Sequence, residues 1–210
     1  MSTGRLLSRR DLEFLLYEWL DVERLTQRDR FAEYDRDMFD GVLDLAEQLG
    51  TDVFAPINRT LDENETRMGA DGRVEQPAEL RRALEAFSNS GLIASGVDAE
   101  LGGAQLPFTV QSASMAYAAA GSLAAYAYPF LSGANANLLI AHGAPEQVET
   151  YALPILEGRW FGTMCLSETQ AGSSLGDIAT MAVPQDDGSY RLSGSKMWIS
   201  GGEHDLAENI

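Results

Sequence analysis

The sequence has little of what marks several large classes of protein. Its 210 residues hold one cysteine, Cys165, and two histidines, His142 and His204. A single thiol permits no internal disulfide and no thiolate metal site, and histidines so far apart form no ligand motif. No bound metal is expected, and the compartment expected is a reducing cytoplasm. Positive charge is scarce too. Fifteen Lys and Arg face 32 Asp and Glu, a formal charge of −17, which repels nucleic acid and anionic lipid. The basic stretch Met1–Arg10 runs into Asp11 and Glu13 with no apolar run of signal-peptide length, so no export is expected. In a protein that is not secreted, the sequons Asn58-Arg59-Thr60 and Asn64-Glu65-Thr66 are simply a polar stretch.

Charge of either sign is missing between Glu100 and Glu146, and so long an uncharged run raises the question of a membrane span. The run is rich in Ala, Ser and Gly, is broken by Gln111, Pro129, Asn135 and Asn137, and is flanked by acids where a cytoplasmic border would carry Lys or Arg. It reads as core, not as a membrane span. Two buried helices are expected at about 108–120 and 130–142, at the centre of a helical bundle, with Gly102-Gly103 as the loop before them.

What is present before that run is helical. Ser8 with Asp11 has the form of a helix start, and Leu12, Leu15, Leu16, Trp19 and Leu20 then recur as one apolar face. Phe39, Val42, Leu43, Ala46 and Leu49 predict a second helix that meets Gly50 and the Ala55-Pro56 pair. After a polar, acidic stretch over 61–71, Pro77 opens a third helix with Leu80, Ala83, Leu84 and Phe87 inward and Gly91 as its stop. A short amphipathic helix follows near Pro145–Leu156. The pattern changes at Gly158. Trp160–Ser167, Ala179–Val183, Tyr190–Leu192 and Met197–Ser200 read as short strands, with Gln185-Asp186-Asp187-Gly188 as a turn. The fold class expected is α+β, an all-α helical domain over 1–157 followed by the start of a β-sandwich or barrel domain over 158–210. Strands this short need partners, and too few are present to close a sandwich or barrel.

The stretch Met164-Cys165-Leu166-Ser167-Glu168-Thr169-Gln170-Ala171-Gly172-Ser173-Ser174-Leu175-Gly176-Asp177 is a strand running into a Gly- and Ser-rich loop. Such a loop can offer N–H groups and hydroxyls to a phosphate. It has neither the P-loop ending nor the GxGxxG spacing, and taken alone it reads as an ordinary surface loop, since Gly and Ser are common in turns. A second stretch follows, Tyr190-Arg191-Leu192-Ser193-Gly194-Ser195-Lys196-Met197-Trp198-Ile199-Ser200-Gly201-Gly202. Together, in this order and spacing, the two resemble the acyl-CoA dehydrogenase family. Gly102-Gly103, Asn135-Ala136-Asn137, His142-Gly143 and Leu156-Glu157-Gly158 extend the resemblance over nearly the whole chain. The Asp11–Val22 helix and the ending Ile199–Ile210 look like the larger bacterial subgroup that includes the 3-methylmercaptopropionyl-CoA dehydrogenases.

The resemblance implies FAD as cofactor and an acyl-CoA substrate, oxidised to the 2-enoyl-CoA with electrons passed to an electron-transfer flavoprotein. It implies that Trp198 packs on the flavin and that Ser200 lies beside its N5. Met164, Leu166 and Ser167 would line the ring, and Gly172 and Ser173 would meet the pyrophosphate, with Ser173 also near the acyl thioester. A flat amphipathic ring does need an aromatic wall and polar contacts along one edge. Two departures stand out: Thr169 where many members have Pro, which leaves the loop less constrained, and Ser174 where many have Asp. Glu168 is expected to organise the loop, and His142 and His204 to be a helix-end and a loop residue. The resemblance places the catalytic Glu in a C-terminal helical domain beyond Ile210, so no catalytic residue is assigned. The chain is expected to be an N-terminal portion, inactive alone, and homo-oligomeric when full length. The alternative is a non-catalytic helical interaction module, or one subunit of a split acyl-CoA dehydrogenase.

Overall fold

The computed structural model describes residues 6–209; Met1–Arg5, where the basic N-terminal stretch begins, and Ile210 lie outside the described residues. Ser8 caps α1 (Arg9–Glu13), its hydroxyl accepting from the Asp11 N–H at 3.3 Å. The helix then widens into a π-helical turn over Phe14–Trp19, closed by Leu20 N–H to Leu15 O at 3.0 Å. This widening overturns part of the expected apolar face. A stripe at the spacing of an α-helix drifts off axis when bonds run five residues back. Leu16 and Tyr17 are buried, but Leu15, Trp19 and Leu20 are exposed.

Arg9 ties α1 to the next helix, with its guanidinium 2.9 Å from Asp44 and 3.4 Å from Asp40. The Tyr17 hydroxyl adds a 2.8 Å bond to Asp40. That helix, α2 (Arg36–Gln48), starts at Asp35, whose carboxylate accepts from the Met38 N–H. Gly50 does not end it. The chain passes through a second π-helical turn, Leu49–Phe54, into α3 (Ala55–Glu63), with Pro56 just past the junction of the two. Gly50 serves a close approach instead: a Cβ there would lie 2.6 Å from the Tyr117 carbonyl oxygen, and one at Gly121 would lie 2.6 Å from the Gly50 oxygen.

The polar, acidic stretch 61–71 contains the end of α3 and the strand β1 (Arg67–Met68), which pairs antiparallel with β2 (Val74–Glu75). Strands of two exposed residues carry no alternation that a sequence pattern could reveal. Next, α4 (Ala78–Asn89) buries Leu80, Ala83, Leu84 and Phe87 as expected, and Gly91 ends it at φ +75°.

The uncharged run forms α5 (Phe108–Gly121) and α6 (Leu123–His142). The second begins seven residues earlier than its expected start at 130, because Ser122 caps it and Pro129 is accommodated inside it. Each helix buries one face, not its whole circumference. Val110, Ser114, Tyr117 and Ala118 are buried, whereas Phe108 and Phe130 are 80% and 59% exposed. Among the described residues no helix is long and apolar enough to cross a membrane. The helix over Pro145–Leu156 is found, as α7 (Pro145–Gln147), a π-helical turn and α8 (Leu153–Leu156).

After Gly158 the chain starts a β region. Of the expected strand Trp160–Ser167 only β3 (Trp160–Phe161) is paired. A hairpin of β4 (Met181–Pro184) and β5 (Tyr190–Ser193) turns over Gln185–Gly188, with Gly188 at φ +82°, and β6 (Glu208–Asn209) lies parallel to β3. Met197–Ser200 is not a strand. Trp198 has φ +60°, a left-handed conformation that breaks an extended run. The described strands form three separate pairs and do not merge into one sheet.

Candidate functional site

Three stretches meet behind β3: residues 162–167, the loop 168–177, and residues 194–202. Helix α6 places the first of them. Its Ser132 hydroxyl accepts from the Gly162 N–H at 3.1 Å, and the Asn135 amide donates to the Thr163 carbonyl at 3.3 Å. A Cβ on Gly162 would lie 2.9 Å from the Asn135 amide carbon, so glycine is what lets this backbone lie on the helix.

The third stretch runs beside the first. The Met197 N–H donates to the Ser167 carbonyl at 3.0 Å, Lys196 Nζ donates to the Leu166 carbonyl at 3.1 Å, and the Thr163 hydroxyl donates to the Ser200 carbonyl. Gly194, the glycine of the motif, passes so close to Thr180 that a Cβ there would overlap its side chain.

Glu168 sits where the three stretches join, its side chain only 2% exposed. Burying a carboxylate is costly unless its lone pairs are used, and here both oxygens are occupied. One accepts from Lys196 Nζ at 2.8 Å and the Thr180 N–H at 3.0 Å; the other accepts from the Ala179 N–H at 2.8 Å and Gln170 Nε2 at 2.6 Å. Lys196 first, then Thr180 and Ala179, hold this carboxyl well below the usual carboxylate range, so it stays ionised. It is therefore an acceptor, not a proton donor.

Of the residues picked from the sequence, Met164, Leu166 and Ser167 lie on one stretch, and the bonds above bring them alongside Trp198 and Ser200 on the other. Gly172 and Ser173 stand exposed on the loop just past buried Ala171. Trp198 is 82% exposed, and its backbone lies in a region that costs a bulky residue about 1–3 kcal/mol. An exposed indole held in a strained conformation, on a stretch bonded to the one that carries Met164 and Ser167, is a surface suited to a flat, amphipathic ligand.

Sequence reasoning missed two supports of this site. Ser132 and Asn135 are polar residues inside an apolar helix; Asn135 stood out as a break in that run and in the resemblance, but its contact did not, and Ser132 had only its polarity as a signal. The second is His204. It is a loop residue, as expected, but it is 5% exposed and wedged edge-on between Tyr128 and Phe161, with ring centroids at 5.8 and 5.9 Å. Neither ring nitrogen has a hydrogen-bond partner, and burial pushes its pKa down, so the ring is neutral. Arg81 of α4 pins the same segment by donating to the Leu206 carbonyl at 2.8 Å. His142 ends α6 as expected. Among the described residues no group of three or more His, Cys, Asp or Glu could hold a metal.

A separate apolar cavity of about 680 Å³ opens on the other side of α6, lined by Phe87, Ile93, Phe108, Met115 and Phe130 with Gln111 and Asn137 as polar points.

No family model matches the chain. It is 34% identical over 204 residues to the 3-methylmercaptopropionyl-CoA dehydrogenase of Ruegeria pomeroyi, a match covering 96% of this chain and 34% of that protein. The chain thus spans about a third of that relative's length. In fold it is similar to the glutaryl-CoA dehydrogenase of Mycobacterium smegmatis, with a TM-score of 0.66 and 21% identity over 81% of this chain and 41% of the other. It is also similar to an acyl-CoA dehydrogenase complexed with FAD from Bacillus anthracis, with a TM-score of 0.61 and 20% identity over 81% and 28% of the two chains. In sequence the chain is thus similar to about a third of an acyl-CoA dehydrogenase, and in fold it is similar to acyl-CoA dehydrogenases of known structure.

Proposed function

We propose that the chain is the flavin-holding portion of an FAD-dependent acyl-CoA dehydrogenase, divided into a helical domain over 1–157 and a partial β domain over 158–210. The observation that carries this reading is the pairing of residues 163–167 with 196–200, which sets Met164, Leu166 and Ser167 beside Trp198 and Ser200. These are the residues to which the resemblance gives the flavin, and exposed Met164, Trp198 and Ser200 with partly exposed Leu166 and Ser167 fit an isoalloxazine ring. Trp198 and Met164 would cover the ring, and Ser167 and Ser200 would hydrogen-bond its polar edge. Gly172 and Ser173, with no bulk between backbone and solvent, would approach the pyrophosphate, and Ser173 would face the thioester.

When bound, FAD supplies the acceptor for the hydride that leaves the β-carbon of an acyl-CoA as a carboxylate removes the α-proton. Glu168 is not that base, because both its oxygens are engaged and the bonds from Lys196, Thr180 and Ala179 that hold its pKa down make it a poor proton acceptor. The base is proposed to lie in a helical part beyond this chain, as the resemblance implies. The same reading makes an electron-transfer flavoprotein the electron acceptor, the complete enzyme a homo-oligomer and the compartment the cytoplasm. Titrating FAD into the purified chain and following quenching of flavin fluorescence tests the proposal. Saturable binding that Trp198→Ala weakens supports it, and no binding at any concentration sinks it.

The exposed rings of Phe108 and Phe130 favour a second reading, a helical interaction module. That reading expects partner binding that is indifferent to FAD.

A further inference from the structure

The bonds around Glu168 do more than satisfy a buried charge. Lys196 reaches two acceptors at once, the Leu166 carbonyl at 3.1 Å and Glu168 at 2.8 Å. Its side chain is 24% exposed, so little water stands between the ammonium and either partner. The next residue, Met197, bonds the Ser167 carbonyl. Lys196 is therefore the first of a series of cross-bonds that continues with Met197 and Ser200 and brackets Trp198, and Glu168 fixes that first bond to the loop carrying Gly172 and Ser173. Through the Ala179 and Thr180 N–H groups the same carboxylate also anchors the approach to β4. The series has few other supports. Trp198 is exposed and strained, Ser200 is exposed, and no regular strand holds them.

Resting on the flavin reading above, we propose that Glu168 and Lys196 are positioning residues for the cofactor. Their ion pair sets the separation between the ring-edge residues Ser167 and Ser200 and the orientation of Trp198, without touching the flavin themselves. A site whose contacts come from exposed, irregular backbone needs such a support, because small displacements of several contacts add up to a large loss of binding.

The test uses the 210-residue chain and three variants, Lys196→Met, Glu168→Gln and Lys196→Arg. Lys196→Met keeps the length of the side chain and removes its charge, whereas Lys196→Arg keeps the charge and can still bridge two acceptors. Each is titrated with FAD by fluorescence quenching, the visible spectrum of bound FAD is recorded, and helical unfolding is followed by far-ultraviolet circular dichroism. The expected result is that Lys196→Met and Glu168→Gln weaken FAD by about tenfold or more and shift the visible bands, while the helical unfolding midpoint is unchanged. Lys196→Arg should recover most of the affinity. If Lys196→Met binds FAD as the unaltered chain does, with the same spectrum, the positioning role is wrong and the flavin reading stands. If affinity falls only as far as the folded fraction falls, the pair is merely structural and the inference is overturned. If the unaltered chain takes up no FAD, the flavin reading fails and the positioning role fails with it.

Discussion

The two regions of this molecule are stabilised in different ways. From Arg9 to Leu156, helices bury a shared apolar core in which Phe39, Leu43, Phe54, Phe87, Val110, Tyr117 and Ile155 are almost wholly shielded. From Trp160 onward the buried core residues are few, chiefly Phe161, Ala171 and Leu206, and the β4–β5 hairpin is exposed along its whole length. What organises the second region is polar: the Glu168 hub, the Arg81 bonds to the 205–206 backbone and the Ser132 and Asn135 contacts to 162–163. Apolar burial is non-directional and scales with area, whereas a hydrogen-bonded hub is directional and fails when one partner is lost. The helical region is therefore the scaffold, and the second region is a positioned but lightly supported site.

If this contrast is right, the largest losses of stability should come from the helical core. Phe87→Ala, which removes a ring packed edge-on against Phe54 at 5.6 Å, should cost about 3–5 kcal/mol in urea unfolding. A loss under 1 kcal/mol would show that the core is not the scaffold. Next in size is Gly50→Ala. The added methyl meets the Tyr117 carbonyl, and the two helix segments must separate at a cost of about 1–3 kcal/mol. Substituting Gly41, which has open space around it, is the control.

The junction between the regions should respond to acid. His204 is buried and neutral with its pKa lowered, chiefly by burial and also by Arg81, against the opposing charges of Glu203 and Asp205. The unfolded chain therefore binds this proton more readily than the folded one. The stability His204 confers is fully present above its ordinary pKa of 6.5 and erodes as pH falls towards the depressed folded value. The slope this one group can contribute is at most about 1.4 kcal/mol per pH unit. His204→Phe should flatten the pH dependence of unfolding between about pH 5 and 7. An unchanged slope would place the acid sensitivity elsewhere.

The smallest change in stability is expected where the largest change in binding is. Trp198→Asn replaces an exposed indole with a residue that tolerates the left-handed conformation, so stability should move by no more than about 0.5 kcal/mol. FAD uptake should nonetheless be lost. If stability fell sharply, Trp198 would be a packing residue and the contrast between scaffold and site would blur.

Helix α4 was legible to the residue, because Pro77, a regular apolar spacing and Gly91 all describe one local object. The turn at Gln185–Gly188 was legible for the same reason, its glycine supplying the positive φ the turn needs. Helix α1 was half legible. Its cap was right, but the π-helical turn rotated Leu15, Trp19 and Leu20 out to solvent, and no residue pattern announces such a turn. At the site, the motif residues could be named from their order and spacing, but their arrangement could not. Nothing in the sequence says that Asn135 holds the Thr163 backbone, that His204 is buried between two rings, or that Met197–Ser200 leaves the extended conformation at Trp198.

The sequence by itself determined the local objects: where helices begin, which faces are apolar, and which short stretches carry chemistry, since each depends on neighbours a few residues apart. Only the tertiary structure decided that Gly50 is a contact between helices and not a stop, and that Glu168, expected to organise its loop, does so as a buried hub paired with Lys196. Those outcomes depend on groups dozens of residues away, Tyr117 in one case and Lys196 in the other, whose approach is set by packing and by the need to satisfy every buried charge.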